Sequence, residues 1–165
     1  MSRPARHPES HKSNGFEDPL SNYEAPAYAD DMERKLAEEA VATVRTEPVT
    51  TVTPETTVVE TMQLMADVHV RCALVVDEGS LVGIFTERDV LSKVADNFHD
   101  VKDQPVKSFM TPDPIVAYET DNVAVALCAI ATGGIRHVPV LDVDHRIVGV
   151  VSPQRLMLFL QEQFR

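Results

Sequence analysis

The sequence predicts an α/β fold in which two β-α-β-β-α repeats pack with pseudo-twofold symmetry. The first observation is an internal repeat, since residues 50–91 align with residues 115–157 at an offset of 64 to 66 positions. The second is that both segments carry the same order of apolar patterns. The third is size, because a unit of about 60 residues is marginal alone and should share a core with its copy. The matching polar or glycine positions are Glu55/Glu119, Thr56/Thr120, Arg71/Arg136, Asp77/Asp142, Gly83/Gly149 and Thr86/Ser152.

The chain before the first repeat divides into two segments. Residues 1–29 are rich in proline and polar residues and poor in aliphatic ones, which predicts a disordered tail. Residues 30–44 predict one amphipathic helix, which either packs on the following domain or reaches a second subunit. The repeats then occupy residues 45–104 and residues 105–165. The apolar stripe of the helix consists of Met32, Leu36, Ala40, Val41 and Val44.

Each repeat opens with a short extended segment, residues 49–52 or residues 115–117, and continues into a helix. Apolar side chains at helical spacing predict both helices. In the first repeat they are Val58, Val59, Met62, Met65 and Ala66, and in the second Val123, Ala126, Leu127 and Ile130.

Two strands follow the helix in each repeat. Residues 72–76 and 81–85 form the first pair, and residues 137–141 and 147–151 form the second. All four are continuous apolar runs, as in strands that are buried on both faces. Turn residues between the members of each pair predict hairpins.

The acidic composition excludes several functions. The chain has 165 residues, with 15 Lys and Arg against 26 Asp and Glu, and a net charge of −11. Without a local basic cluster, nucleic acids and acidic membranes are disfavoured as partners. No apolar run is long enough for a membrane-spanning helix or a signal peptide, which predicts a cytoplasmic protein. Cys72 and Cys128 lie in apolar segments without metal-ligand spacing, so we expect two core cysteines and no metal site.

Thr86 stands where a strand of the first repeat ends and its last helix begins, and Ser152 is its equivalent in the second repeat. A hydroxyl at a helix N-cap, beside free backbone N–H groups, can bind a small anion. Asp89, one turn further, can accept two hydrogen bonds from a vicinal diol such as ribose. A phosphate beside a diol indicates a nucleotide. Alternatively, Thr86 only caps its helix and Asp89 only stabilises the first turn.

Three segments occur in a characteristic order: GIFTERDVL at residues 83–91, FMTPDPIVAYET at residues 109–120 and RHVPVLD at residues 136–142. Together they resemble a tandem pair of CBS domains, named after cystathionine β-synthase, over residues 45–163. The resemblance implies that AMP, ADP, ATP or an adenosyl compound binds in the cleft between the repeats. We expect no covalent cofactor. Because the net charge is −11, we expect free ATP to be repelled unless Mg²⁺ accompanies it.

The resemblance also implies contacts for the nucleoside. The adenine would lie against an entry strand, either residues 49–52, which include Val52, or residues 115–117. The backbone near Val138 and Pro139 would also contact the adenine. The ribose would meet Asp89.

The phosphates would be bound by Thr86 and by Arg136 and His137 of the facing repeat. Arg88, inside the motif of the first repeat, is a further ligand-binding candidate. Arg136 could instead be a solvated charge at a strand end, and His137 a half-buried strand residue. The alternative phosphate contacts, at the corresponding edge of the first repeat, are His69 and Arg71.

The second repeat departs from the family pattern at Arg155. This residue stands six positions after Gly149, where an aspartate is expected. A guanidinium cannot accept hydrogen bonds from a diol, although it can pair with a phosphate through two parallel bonds. Ser152 and Arg155 therefore predict a doubtful second site beside one nucleoside site.

The sequence contains no nucleophile elbow, phosphate-binding loop or zinc-protease motif, so we do not expect an enzyme. The leading hypothesis is a stand-alone regulatory module that binds an adenosine nucleotide and signals through quaternary change. We expect a homodimer that acts on a regulated protein partner. The alternative is a ligand-free dimerisation or interaction scaffold, in which the helix at residues 30–44 carries the function.

Overall fold

The computed structural model describes residues 26–44, residue 46 and residues 48–163. Apart from its last four residues, the predicted tail at residues 1–29 lies outside the described part. The described chain forms two sheets with helices packed on them, and the predicted α/β fold with two repeats is confirmed. None of the described helices combines the length and the apolar character needed to cross a membrane.

The first repeat contains a four-stranded sheet in the order β1-β2-β3-β4. Strand β1 is parallel to β2, and the pairs β2/β3 and β3/β4 are antiparallel. Helix α2 connects β1 to β2. The bounds are β1 Thr51–Val52, α2 Val58–Asp67, β2 Cys72–Asp77, β3 Ser80–Thr86 and β4 Thr111–Pro112.

A reciprocal cap fixes the start of α2. The side chain of Thr57 accepts a hydrogen bond from the backbone N–H of Glu60 at 3.3 Å. In return the Thr57 hydroxyl and backbone N–H donate to the Glu60 carboxylate at 2.8 and 3.1 Å. These bonds, the hydroxyl bond first, lower the pKa of Glu60 because they favour its charged form.

The last helix of the first repeat is irregular. Helix α3, Glu87–Asp89, continues into a π-helical turn at Val90–Val94, where the backbone N–H of Ala95 donates to the carbonyl of Val90. A 3₁₀ turn at Ala95–Asn97 leads to helix α4, Phe98–Val101. Single π turns inside helices often occur at functional sites.

The second repeat contains the sheet β5-β6-β7, with β5 parallel to β6 and β6 antiparallel to β7. Asn122 caps α5, which ends at Gly134, a residue in the left-handed conformation with φ 60°. Proline occupies the first position of α6, where its missing N–H costs nothing. The bounds are β5 Ala117–Tyr118, α5 Val123–Gly133, β6 Val138–Leu141, β7 Ile147–Val151 and α6 Pro153–Gln163.

Three apolar clusters hold the molecule together. Two lie inside the individual repeats. The third joins the sheets of the two repeats, as predicted for a shared core. Cys72 is buried there, whereas Cys128 is exposed on α5, so the prediction that both cysteines are core residues was wrong for Cys128. The residues of the third cluster are Cys72, Leu74, Ile84 and Val150.

The prediction of a single helix over residues 30–44 was also wrong. Helix α1, Asp31–Glu38, ends early, and a 3₁₀ turn follows at Val41–Thr43. The helix stops because the next residues pair with the second repeat: the backbone N–H of Val41 donates to Asp121 at 2.7 Å, and that of Ala42 donates to Glu119 at 3.0 Å. Val41 and Val44 are buried in the core of the second repeat, and Leu36 packs against it. Of the two roles expected for this segment, the structure shows packing within its own chain.

Residues 102–109 make the equivalent contacts on the first repeat. The backbone N–H of Val106 donates to Thr56 at 2.8 Å, and that of Lys107 donates to Pro54 at 3.2 Å. Val106 and Val41 are 65 residues apart and have the same role in the two cores. The core of the second repeat is thus completed by chain that precedes the first, across the predicted boundary at residue 45.

Candidate functional site

A cavity of about 530 Å³ opens between the two repeats at the end of β3. One wall is the turn from β3 into α3, and the other is the segment between α5 and β6. Sites for small molecules usually have volumes of about 300 to 1,000 Å³, so this cavity is large enough for one. Its lining residues are Ile84, Thr86, Glu87, Arg88, Asp89, Leu91, Ser92, Thr111, Gly134, Ile135, Arg136 and His137.

Thr86 and Asp89 form a reciprocal cap at the start of α3. The Thr86 side chain accepts a hydrogen bond from the Asp89 backbone N–H at 3.4 Å. The Thr86 backbone N–H and hydroxyl donate to Oδ2 of Asp89 at 2.9 and 2.7 Å. The capping alternative is therefore present in the structure, and the same two residues also line the cavity.

The second oxygen of the Asp89 carboxylate has partners as well. Oδ1 accepts from the hydroxyl of Thr111 at 3.2 Å and lies 2.7 Å from Nζ of Lys93. Asp89 is only 5% exposed, so these bonds compensate for the desolvation of its charge. A carboxylate offers about four acceptor positions, and four donors already occupy them here.

Cationic side chains from both repeats line the cavity. Arg88 comes from the first repeat and donates through Nη1 to the carbonyl of Gly134 in the second at 3.2 Å. Arg136 is exposed and His137 half-buried on the second repeat. The two guanidinium groups stand beside the acidic lining residues Glu87 and Asp89, so the cavity holds cations that can pair with an anionic group within a strongly acidic chain.

Apolar side chains complete the cavity. Ile84 lies on β3 and Ile135 on the segment before β6, so the two repeats each contribute one. Leu91 also lines the cavity and is 74% exposed. The cavity therefore offers an apolar surface, a carboxylate and cations within one space, a combination that fits an amphiphilic anion with a flat apolar ring.

Half of the predicted site residues line this cavity. They are Thr86, Arg88, Asp89, Arg136 and His137.

The other predicted residues lie elsewhere. The side chain of Val52 is buried in the core of the first repeat, and Val138 is buried in that of the second. Pro139 is buried in strand β6. Ser152 is buried just before α6, and its carbonyl accepts from the backbone N–H of Leu156 at 3.1 Å.

Arg155 is half-buried in the first turn of α6. It does not line the cavity between β3 and β6. The alternative phosphate contacts His69 and Arg71 are exposed and do not line it either.

The sequence analysis did not identify two residues that contact Asp89, namely Lys93 and Thr111. Lys93 stands four positions after Asp89, a helical spacing at which opposite charges meet, so the sequence carried a signal for this pair. Thr111 carried none, because it reaches Asp89 only through the pairing of β4 with β3.

A second cavity, of about 560 Å³, lies at the hairpin ends of the two repeats. At its edge the Tyr118 hydroxyl lies 3.2 Å from Nδ1 of His145. Within the described residues, no group of three or more His, Cys, Asp or Glu side chains is placed to hold a metal ion. The lining residues are Gly79, Ser80, Leu81, Asp113, Pro114, Val116, Leu141, Asp144, His145 and Arg146.

Comparison with protein families gives a match to the CBS domain at two tandem positions, residues 41–96 and 106–162. An uncharacterised 17.7 kDa protein of Acidianus ambivalens is 34% identical over 113 residues, which cover 68% of this chain and 67% of that protein. The meiotically up-regulated gene 70 protein of Schizosaccharomyces pombe is 35% identical over 97 residues, or 59% of this chain. The match spans only 13% of that longer relative.

Solved structures with similar folds include two described with bound ligands. The CBS domain protein PAE2072 of Pyrobaculum aerophilum, complexed with AMP, has a TM-score of 0.65 and 25% identity, covering 76% of this chain and 99% of that one. The CBS domain pair of protein MJ0100, in complex with 5′-methylthioadenosine and S-adenosyl-L-methionine, has a TM-score of 0.66 and 25% identity. The match covers 75% of this chain and 97% of that one.

Proposed function

The chain belongs to the CBS domain family, with two copies in tandem, and from this premise we propose that it is a regulatory module that binds an adenosine nucleotide or adenosyl compound. The observation that carries the proposal is the cavity between the repeats, which combines Asp89 with Arg136 and His137 of the facing repeat. Support also comes from two structural relatives of 25% identity, one described with AMP and one with adenosyl compounds.

The lining of the cavity suggests where each part of the ligand would lie. Its ribose diol would donate to the carboxylate of Asp89, and its phosphate would be bound by Arg136 and His137. The adenine would pack on Ile84 and Ile135. We prefer these two side chains to that of Val52, which is buried in the core of the first repeat. The backbone near Val138 and Pro139 remains a candidate contact for the adenine.

Electrostatics favour the smaller nucleotides. The net charge of −11 repels an anion over distances up to the Debye length, about 8 Å at physiological ionic strength. AMP and ADP should therefore bind at least as well as free ATP, whose additional charge would need Mg²⁺ as a companion.

We propose one site for each chain. The second repeat has Arg155 at the position of Asp89, and a guanidinium has no acceptor for a ribose hydroxyl. Ser152 and Arg155 would at most contact a phosphate.

The signal would pass through quaternary structure to a regulated protein. A ligand shifts such an equilibrium only by its different affinity for two arrangements of repeats or subunits. Apolar side chains exposed on three outer helices suggest a homodimer interface, since large exposed patches usually mark interfaces. They are Leu64, Val68, Val125, Met157 and Leu158.

A ligand-free scaffold is the second candidate function. Its supporting observation is that four donors already occupy the carboxylate of Asp89, which leaves it satisfied without a ligand. Dimerisation alone would then be the role of the exposed helix faces.

Thermal unfolding with AMP, ADP, ATP, NAD and S-adenosylmethionine distinguishes the two functions. A ligand specific to the native state, at a hundred times its dissociation constant, adds about 2.7 kcal/mol to the free energy of unfolding. The regulatory module predicts a clear rise in melting temperature with at least one compound. The scaffold predicts no rise with any of them.

A further inference from the structure

The segment at residues 102–110, here called the connector, leads from the first repeat to the second. Lys93 links it by hydrogen bonds to Asp89, the proposed ligand-binding carboxylate. Lys93 Nζ lies 2.7 Å from Oδ1 of Asp89 and donates to the carbonyls of Phe109 and Met110 at 2.8 and 3.4 Å. The Thr111 hydroxyl donates to the same Oδ1. An ammonium group has three donors, so Lys93 is fully engaged between the carboxylate and the connector.

Resting on the proposed function, we propose that Lys93 and Thr111 form an internal latch that competes with the ligand for Oδ1 of Asp89. A diol that binds this oxygen must displace one or both of them, because the two positions on Oδ2 are held by the cap with Thr86. Displacement of Lys93 also releases the carbonyls of Phe109 and Met110. Ligand binding therefore loosens the connector that joins the first repeat to the second.

The surroundings allow Lys93 to be displaced from Oδ1. Its side chain is 40% exposed, so the ammonium can move into water at small cost, whereas Asp89 is buried and cannot. Thr86 holds Oδ2 through its own backbone N–H, which is fixed by the fold. The ligand therefore competes at Oδ1 with Lys93 and Thr111, and displacement of Lys93 is the event that releases the connector.

The latch predicts that removal of a side chain next to the binding site strengthens ligand binding. Lys93→Met removes the competing cation, leaves Oδ1 short of a donor and makes a ligand hydroxyl more valuable there. We expect adenosine to bind about three- to tenfold more tightly to Lys93→Met than to wild type. Adenosine is the chosen probe because it carries the diol without a phosphate that could attract Lys93.

Two controls isolate the diol. The first is 2′,3′-dideoxyadenosine, which lacks both hydroxyls, so its affinity should be equal in wild type and Lys93→Met. The second is Lys107→Met, which removes a lysine of the connector, paired with Glu55 and remote from Asp89. Lys107→Met should leave the affinity for adenosine unchanged.

Amide exchange provides a second measurement. The backbone N–H groups of Phe109 and Met110 both donate to the carbonyl of Val106 at 2.9 Å and report on the connector. We expect AMP to speed their exchange in wild type, and we expect faster exchange in Lys93→Met without any ligand. Slower exchange on AMP binding would overturn the latch.

Calorimetric titration of the full chain with adenosine and AMP decides between the outcomes. Tighter adenosine binding by Lys93→Met supports the latch, as does binding that occurs only in this variant. Unchanged or weaker binding by Lys93→Met, with normal binding by wild type, overturns the latch and leaves the proposed function standing. Absence of binding of both adenosine and AMP to both proteins overturns the proposed function, and the latch with it. Binding of AMP by both proteins with no binding of adenosine by Lys93→Met overturns the latch alone.

Discussion

Met110 lies so close against Gly83 that a β-carbon at Gly83 would overlap its side chain. Thr46 lies against Gly149 in the same way in the second repeat. A side chain from a neighbouring segment thus approaches the backbone closely at two equivalent strand positions, and glycine leaves room for it. The matched glycines reflect the pseudo-twofold arrangement of the two repeats.

Gly83→Ala and Gly149→Ala should both destabilise the fold, but by different amounts. Overpacking costs about 1 to 3 kcal/mol, and we expect Gly149→Ala to cost more than Gly83→Ala. The reason is that Met110 is long and flexible, whereas Thr46 is β-branched and meets the new carbon with atoms near its backbone. Denaturant unfolding of both variants measures the order.

The double variant Gly83→Ala/Met110→Ala serves as a control. Truncation of Met110 removes the overlap, so the cost of the alanine at Gly83 should largely disappear in that background. A cost of Gly83→Ala that is the same with and without the methionine would show that the close approach is not its cause.

Asp89→Asn should weaken binding of AMP by about tenfold or more, because it replaces charge-assisted hydrogen bonds to the ribose with neutral ones. It should also lower the free energy of unfolding by about 1 to 3 kcal/mol. The reason is that the buried carboxylate of Asp89 accepts hydrogen bonds from Thr86 and Thr111 and pairs with Lys93. Calorimetry and denaturant unfolding measure the two effects. Asp96→Asn, at an exposed position of the same helical segment, is the matched control and should change neither.

Binding should saturate at one nucleotide for each chain. Arg155→Ala should leave the affinity of that site within about twofold, since Arg155 does not line the cavity and distant sites act independently. The stoichiometry comes from calorimetry with AMP. Two equivalent sites in wild type would contradict the proposed asymmetry between the repeats.

The cap at Glu60 gives a pH-dependent contribution to stability. Hydrogen bonds from Thr57 lower the pKa of Glu60 in the folded state, so the stabilisation is complete above the unfolded-state pKa and is lost as pH falls through the folded-state pKa. Wild type should therefore melt above Glu60→Gln at pH 7, and the two should converge in acid. A difference in melting temperature between wild type and Glu60→Gln that grows as the pH falls would contradict this prediction.

Charges on the exposed apolar helix faces should break the proposed dimer. Leu64→Glu on α2 and Met157→Glu on α6 should give monomers by light scattering, because each would bury an unpaired carboxylate in the interface. Val143→Glu, at an exposed hairpin turn away from these helices, should remain dimeric. A wild-type monomer at micromolar concentrations would contradict the interface.

The repeats could be predicted because their elements follow local patterns. The apolar runs at residues 72–76 and 147–151 became β2 and β7, and the helical spacing from Val58 became α2. The family and the α/β fold followed from the same repeats. The end of α1 at Glu38 could not be predicted, because the spacing of apolar residues carries no information about backbone hydrogen bonds to residues 119–122.

Part of the candidate site could be predicted, from local spacing in the first repeat and from the family resemblance in the second. The pair Thr86 and Asp89 lies within one helical turn, and Arg136 occupies the equivalent of Arg71 in the repeat. Thr111 is 22 residues from Asp89 in the chain and contacts it because β4 pairs with β3, a pairing that no local sequence pattern predicts. Val52 was a candidate because the family resemblance implied an adenine contact at its strand, but its side chain is buried in the core of the first repeat.

Calorimetric titration of AMP into wild type, Arg136→Ala and Arg71→Ala tests most directly whether the cavity between the repeats binds a nucleotide. Arg136 lines the cavity, and Arg71 is its equivalent in the other repeat and does not. We expect one AMP for each wild-type chain, about tenfold weaker binding by Arg136→Ala through loss of a charged phosphate contact, and unchanged binding by Arg71→Ala. No binding by wild type, or equal losses in the two variants, would contradict this expectation.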